Sequence, residues 1–164
     1  MKQGTKANLS GAKLEHRVQG IITSALDVEA KYFSRTKIRD NILLKSVPYT
    51  NIYGSDKCRS EFVICKNNRK IRVECKAQHA SGSVDEKLPY LYLNFTSSIK
   101  EEEAVIVVEG DGFKAGAKKW LRDKCKNTKV LVFNPVEFKA WVETGMPVKK
   151  VGLVKAYIKR WFSL

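Results

Sequence analysis

An α/β fold in one domain, residues 1–164, with a mixed central sheet flanked by helices, is predicted by three features of the sequence. Two strand-like runs, 59–65 and 70–78, are rich in β-formers and flank the polar turn Lys66-Asn67-Asn68-Arg69, which reads as an antiparallel hairpin. Two short apolar runs, 104–108 and 130–133, read as buried strands and are joined by a helical stretch over 114–126. A crossover of that length requires parallel pairing. An apolar stripe of Leu14, Val18, Ile21, Ile22, Ala25 and Leu26 recurs at helical spacing near the N-terminus.

Taken in order, the first element is a helix over 11–32 with Ser10 as its N-cap. Glu15 lies beside its apolar stripe, either as a first-turn carboxylate favoured by the helix dipole or as a functional group. His16 and Arg17 read as solvated or phosphate-facing. In the hairpin's second strand, alternation sends Ile71, Val73, Cys75 and Ala77 into a core and lines the other face with Arg72, Glu74, Lys76 and Gln78. Residues 84–98 fit a short helix or irregular segment with Pro89 near its first turn. Trp120 and Leu121 face inward from the 114–126 helix. Asn134 and Pro135 open a last helix that ends near Gly145. Residues 148–164 form a basic-aromatic segment that either docks on the core or a second subunit, or contacts DNA.

A formal net charge of +14 favours a polyanionic partner, nucleic acid before an anionic membrane. No apolar run is long enough to span a bilayer, and the first residues lack a signal-peptide core, so a cytoplasmic protein with reduced thiols is expected. Cys58, Cys65, Cys75 and Cys125 have no C-x-x-C spacing and only His16 and His79 to assist them, which argues against structural zinc.

The chemistry-bearing motif is Glu74-Cys75-Lys76. Two positions apart on a strand, a carboxylate can hold a divalent metal while the amine orients a water or offsets phosphate charge, a pairing that points to phosphodiester hydrolysis. Such a triplet also arises by chance in Lys-rich chains, as a mixed-charge solvated face. Closing the hairpin about Asn67-Asn68 brings Glu61 toward Glu74, so that both carboxylates and Lys76 can converge on one cation.

An acid on the N-terminal helix, an acid on the first hairpin strand and E-x-K on the second resemble the PD-(D/E)xK nuclease superfamily, over roughly residues 10–133. Residues 78–90 are also similar to the stretch after the catalytic strand in some phage and restriction-type members. The resemblance implies a restriction-endonuclease-like core in which Glu61 and Glu74 bind metal, Lys76 assists the attacking water and Glu15 completes the shell. The family usually has Asp where Glu61 stands, and Asp56 is the rival for that position. Glu61 is preferred because Phe62-Val63-Ile64 matches the hydrophobic run expected after the family acid. Gln78, on the same face, either polarises a water or touches a phosphate, or is a strand-end amide.

The expected activity is a Mg²⁺-dependent endonuclease, with Mn²⁺ able to substitute and no organic cofactor, cutting double-stranded DNA at specific sites as homing or restriction enzymes do. A phage or mobile-element setting suits it. Cutting both strands with one site per chain makes a homodimer the expected state. A Holliday-junction or branched-DNA resolvase and a non-catalytic basic nucleic-acid-binding module are the alternatives. Ser81, Ser83 and Lys87, in a flexible loop after the catalytic strand, are the first candidates for DNA contact, or an ordinary surface loop. Lys114, Lys118 and Lys119, at a Gly-containing loop that runs into a helix without a P-loop pattern, are further candidates, or simply part of a turn.

Overall fold

The N-terminal apolar stripe does what its period dictates: Leu14, Val18 and Ile22 are fully buried on one side of helix α1 (Gln3–Leu26). In the computed structural model, which describes residues 3–114 and 116–149, this helix begins earlier than the sequence predicts, so Ser10 lies inside it rather than at its cap. It also stops earlier. Asp27 adopts a left-handed φ of 50°, and the chain then runs as strand β1 (Glu29–Tyr32) where a continuing helix was expected. The helical stripe has run out at Leu26, and the following residues serve an edge strand with buried Val28 leading into it.

Five further strands complete a six-stranded sheet in sequential order: β2 (Ile42–Tyr49), β3 (Cys58–Lys66), β4 (Arg69–Ala77), β5 (Glu103–Glu109) and β6 (Val130–Phe133). Pairing is antiparallel for β2–β3 and β3–β4 and parallel for β1–β2, β4–β5 and β5–β6, so the sheet is mixed as expected. Asn67 and Asn68 both have positive φ, 54° and 60°, the two-residue hairpin turn whose twist matches its strands. Strand β2 was not foreseen. Its Pro48 argues against a central strand, but β1 pairs only with Ile42 to Lys45, which leaves that edge open at Pro48.

One face of the sheet packs on α1 and on α4 (Pro135–Glu143), through Leu43, Phe62, Ile64, Ile71, Val73, Cys75, Val105 and Val107. The opposite face of β5 and β6 is covered by α2 (Leu88–Ser97) and α3 (Ala117–Cys125), with Leu91, Phe95 and Leu121 against Ala104, Ile106 and Val130. A 3₁₀ turn, Asp85–Lys87, precedes α2, and α3 starts at Ala117 because Gly116 takes a left-handed φ of 84°. Asn134 caps α4 through a reciprocal capping box with Glu137, and α4 ends two residues before Gly145. Beyond Lys149 the basic-aromatic segment lies outside the described residues. Among those described, no helix is long and apolar enough to cross a membrane.

Candidate active site

The alternation in β4 places Ile71, Val73 and Cys75 on the α1 side, as the sequence predicts, while Arg72, Glu74 and Gln78 on the other side are buried rather than exposed. Burial of Arg72 is compensated by a bidentate pair with Glu101, at 2.9 and 2.7 Å, and by donation to Ser60 Oγ and Val47 O. Its guanidinium also lies 5.3 Å from the Tyr49 ring centroid.

The site forms where the sheet ladder breaks. Ser46 has a φ of 53°, and the alternation of β2 changes phase there: Leu44 and Val47, three residues apart, pack in the same apolar cluster. The β3–β4 ladder ends at the Phe62–Val73 pair. In its place, the Cys75 amide donates to Glu61 Oε2 at 3.0 Å, so a side-chain carboxylate substitutes for a backbone acceptor. The two-residue turn therefore brings Glu61 across from Glu74, as the hairpin geometry requires.

Lys76 gathers the two acids. Its ammonium is ion-paired with Glu74 Oε1 and stands 3.9 Å from Glu61 Oε1. Burial, then the neighbouring Glu74 charge, pushes the Glu61 carboxyl up to about 8, against the pull of Lys76 and the Cys75 amide. For Lys76, burial acts to lower the pKa, but Glu74 and Glu61 outweigh it and the value is raised. Glu15 is also raised, by burial and by Glu61, with Lys76 and Lys45 opposing. These couplings place Glu15 within electrostatic reach of the cluster, across a cleft of about 410 Å³ between α1 and strands β2 and β3. Asp56 is elsewhere: exposed in the 50–57 loop, it accepts from the Thr50 hydroxyl.

A divalent cation fits Glu61 and Glu74. Glu74 Oε2 is buried with no hydrogen-bond partner, an acceptor whose desolvation a cation would offset, and burial and the Glu74 charge raise the adjoining Glu61 carboxyl, which a cation would lower. Among the described residues no group of three or more His, Cys, Asp or Glu could hold a metal, so Glu15 does not form a three-carboxylate set with them. Two carboxylates with water and phosphate oxygens filling the remaining positions is the arrangement magnesium ordinarily accepts.

The other residues singled out by sequence are dispersed. Gln78 is a loop clamp: its Nε2 donates to Gly112 O at 2.6 Å and Gly82 O at 3.4 Å, and its Oε1 accepts from Val84 N at 2.7 Å. A Cβ at Gly110 would meet Gln78 O at 2.2 Å, and one at Gly112 would meet Ala80 O at 2.3 Å, so the two loops cross in backbone contact. Ser81, Ser83 and Lys87 are exposed around this crossing. Lys114 pairs with Glu86 at 3.0 Å and Lys119 with Asp123 at 2.6 Å, while Lys118 donates to Gly110 O at 3.0 Å.

Sequence reasoning missed Tyr49, Lys45 and Arg59. Burial and the Glu74 charge both raise the Tyr49 phenol, which marks it as a neighbour of the acid cluster. Lys45 and Arg59 line the cleft with Glu15 and Glu61. Tyr49 and Lys45 lie on the unforeseen strand β2; Arg59 is the cation beside Ser60-Glu61 and could have been flagged from that adjacency.

No curated protein matches the sequence significantly. A family model described as a PD-(D/E)XK nuclease superfamily domain matches residues 6–146, from the first turns of α1 to just past α4. That span takes in all six strands and the whole carboxylate–lysine cluster. By its sequence match and by a mixed α/β sheet of the expected architecture, the chain belongs to the PD-(D/E)XK nuclease superfamily.

Proposed function

We propose that this nuclease is a Mg²⁺-dependent endonuclease of double-stranded DNA, acting at specific sites as homing or restriction enzymes do, and working as a homodimer with one site per subunit. The observation that carries the reading is the gathering of Glu61, Glu74 and Lys76 at the broken end of the β3–β4 ladder. Bound by Glu61 and Glu74, a divalent cation would supply Lewis-acid activation of a water and offset charge on the phosphate.

The chain's own groups have matching tasks. Glu61 commits Oε2 to the Cys75 amide, which fixes the carboxylate and leaves Oε1 for a ligand. Glu74 engages Lys76 through Oε1 and keeps Oε2 uncommitted. An ammonium has three donors, so Lys76 retains donors for the attacking water or a phosphate oxygen while its charge offsets the negative charge that builds on phosphorus. Glu15 assists from across the cleft by holding or releasing a proton near Glu61. Ser81, Ser83 and Lys87 extend the DNA-facing surface beyond the strand end, with Lys114, Lys118 and Lys119 at its margin. Gln78 positions that loop through its backbone bonds.

Plasmid nicking and cleavage with Mg²⁺, run beside a gel shift in Ca²⁺, test the assignment. Glu74→Gln and Lys76→Ala are expected to lower cleavage by about 100-fold or more while leaving DNA binding largely intact. Full cleavage by either variant removes the assignment. Binding without cleavage of any DNA by the wild-type protein favours a non-catalytic module.

A further inference from the structure

Most cations that sequence analysis assigned to DNA are engaged by neighbours: Lys114 by Glu86, Lys119 by Asp123 and Lys118 by a backbone carbonyl. Lys45 and Arg59 are set apart by where they stand. Both line the cleft that opens on Glu15 and Glu61, and among the described residues neither forms an ion pair. Lys45 Nζ sits 4.7 Å from the Tyr32 ring centroid, so an aromatic face rather than a carboxylate holds it. Arg59 Nη1 donates to Ser46 O at 2.8 Å, which anchors an otherwise exposed guanidinium and leaves its remaining donors free.

We propose that this cleft is a binding site for the phosphodiester backbone of the substrate strand, gripping phosphates next to the scissile one through Lys45 and Arg59. The assignment rests on the nuclease reading and names which surface delivers the strand to it. Glu15 and Glu61 alone would repel a phosphate. Two cations on the β2–β3 wall of the same cleft offset that repulsion, and although Lys45 steadies the Glu15 carboxylate across the cleft, neither cation is closed off in an ion pair. The left-handed Ser46 supports this wall, since the carbonyl that anchors Arg59 belongs to the residue where β2 changes phase. A guanidinium anchored by one N–H presents its remaining fork to phosphate oxygens, and an ammonium above a ring remains available to a stronger anion.

The test is the salt dependence of affinity for a labelled duplex in Ca²⁺, measured by fluorescence anisotropy for the wild type, Lys45→Gln, Arg59→Gln, Lys45→Arg and Lys139→Gln. Each glutamine variant in the cleft should shallow the slope of log K against log salt by roughly 0.9, the share of one phosphate contact. Lys45→Arg should keep the slope. Lys139, paired with Glu143 at 3.7 Å on α4, is the control and its variant should also keep it. Cleavage in Mg²⁺ is followed in parallel. Unchanged slopes in the cleft variants overturn the cleft assignment whether or not the wild type cuts; shallower slopes in a protein that never cuts support the cleft and overturn the nuclease reading. Should a glutamine variant fail to fold, acetylation footprinting of the wild type replaces it. Bound duplex should protect Lys45 but not Lys139, and equal labelling of both overturns the proposal.

Discussion

Glu61 binds its proton up to about pH 8 in the folded chain, whereas an unfolded glutamate releases it in the ordinary carboxylate range. Between those values the native state holds more protons than the unfolded one, so this group's contribution to stability falls as pH rises. A cation bound at Glu61 and Glu74 displaces that proton, and its binding therefore strengthens over the same interval. Thermal melts from pH 5 to 8 should show a declining stability that flattens in Glu61→Gln, and the rise in Tm given by Ca²⁺ should grow with pH. A Ca²⁺ shift independent of pH would count against Glu61 as a ligand. Glu61, Glu74 and Lys76 were legible in the sequence because a period-two alternation and a two-residue Asn turn fix which side chains meet. The engagement of Gln78 was not, because Gly112, the acceptor of its shortest bond, sits in a loop brought beside it only by the β4–β5 crossover.

Elements whose signals are local were read well. Asn134 and Pro135 mark the start of α4, and the Asn134 carboxamide accepts from the amides of Val136 and Glu137, both at 2.9 Å. Asn134→Ala should cost about 1 kcal/mol, measured by denaturant unfolding, through loss of those bonds. Elements that depend on their neighbours were lost or misread. The four residues of β1 lie past the end of the helical stripe and carry no strand signal of their own, forming a strand where β2 offers them a parallel edge. Strand β2 carries a proline and a phase change that disguise it as a loop. Arg72 belongs to the same category: it reads as a solvated strand residue but is buried in a bidentate pair with Glu101, to which side-chain hydrogen bonds and charge hold the Glu101 carboxyl low despite burial. Arg72→Met should destabilise by about 3–5 kcal/mol, because Glu101 is left without its partner. Equilibrium urea unfolding checks this.

At the scale of the molecule, the sequential strand order β1 to β6 puts the loop between β2 and β3, the end of β4 and the end of β5 at one end of the sheet. The acid cluster lies toward that end. With one such cluster among the described residues, the proposed severing of a duplex calls for two chains, or two visits. Wild-type enzyme should convert supercoiled plasmid to linear product without prolonged accumulation of nicked circles, and sedimentation on a duplex should report two chains per DNA. Sustained nicking by a single bound chain would contradict the dimer.

The crossing of backbone at Gly110 and Gly112 over Gln78 and Ala80 has a further bearing on how this enzyme can vary. A methyl group at either glycine has nowhere to go except into main chain, so it would lever the segment just after Lys76 away from its seat. The strand end that carries Lys76 is thus held partly by a remote part of the chain. Gly112→Ala should depress turnover although it touches no reacting atom, and any lineage that exchanges this loop must refit both strands of the crossing together.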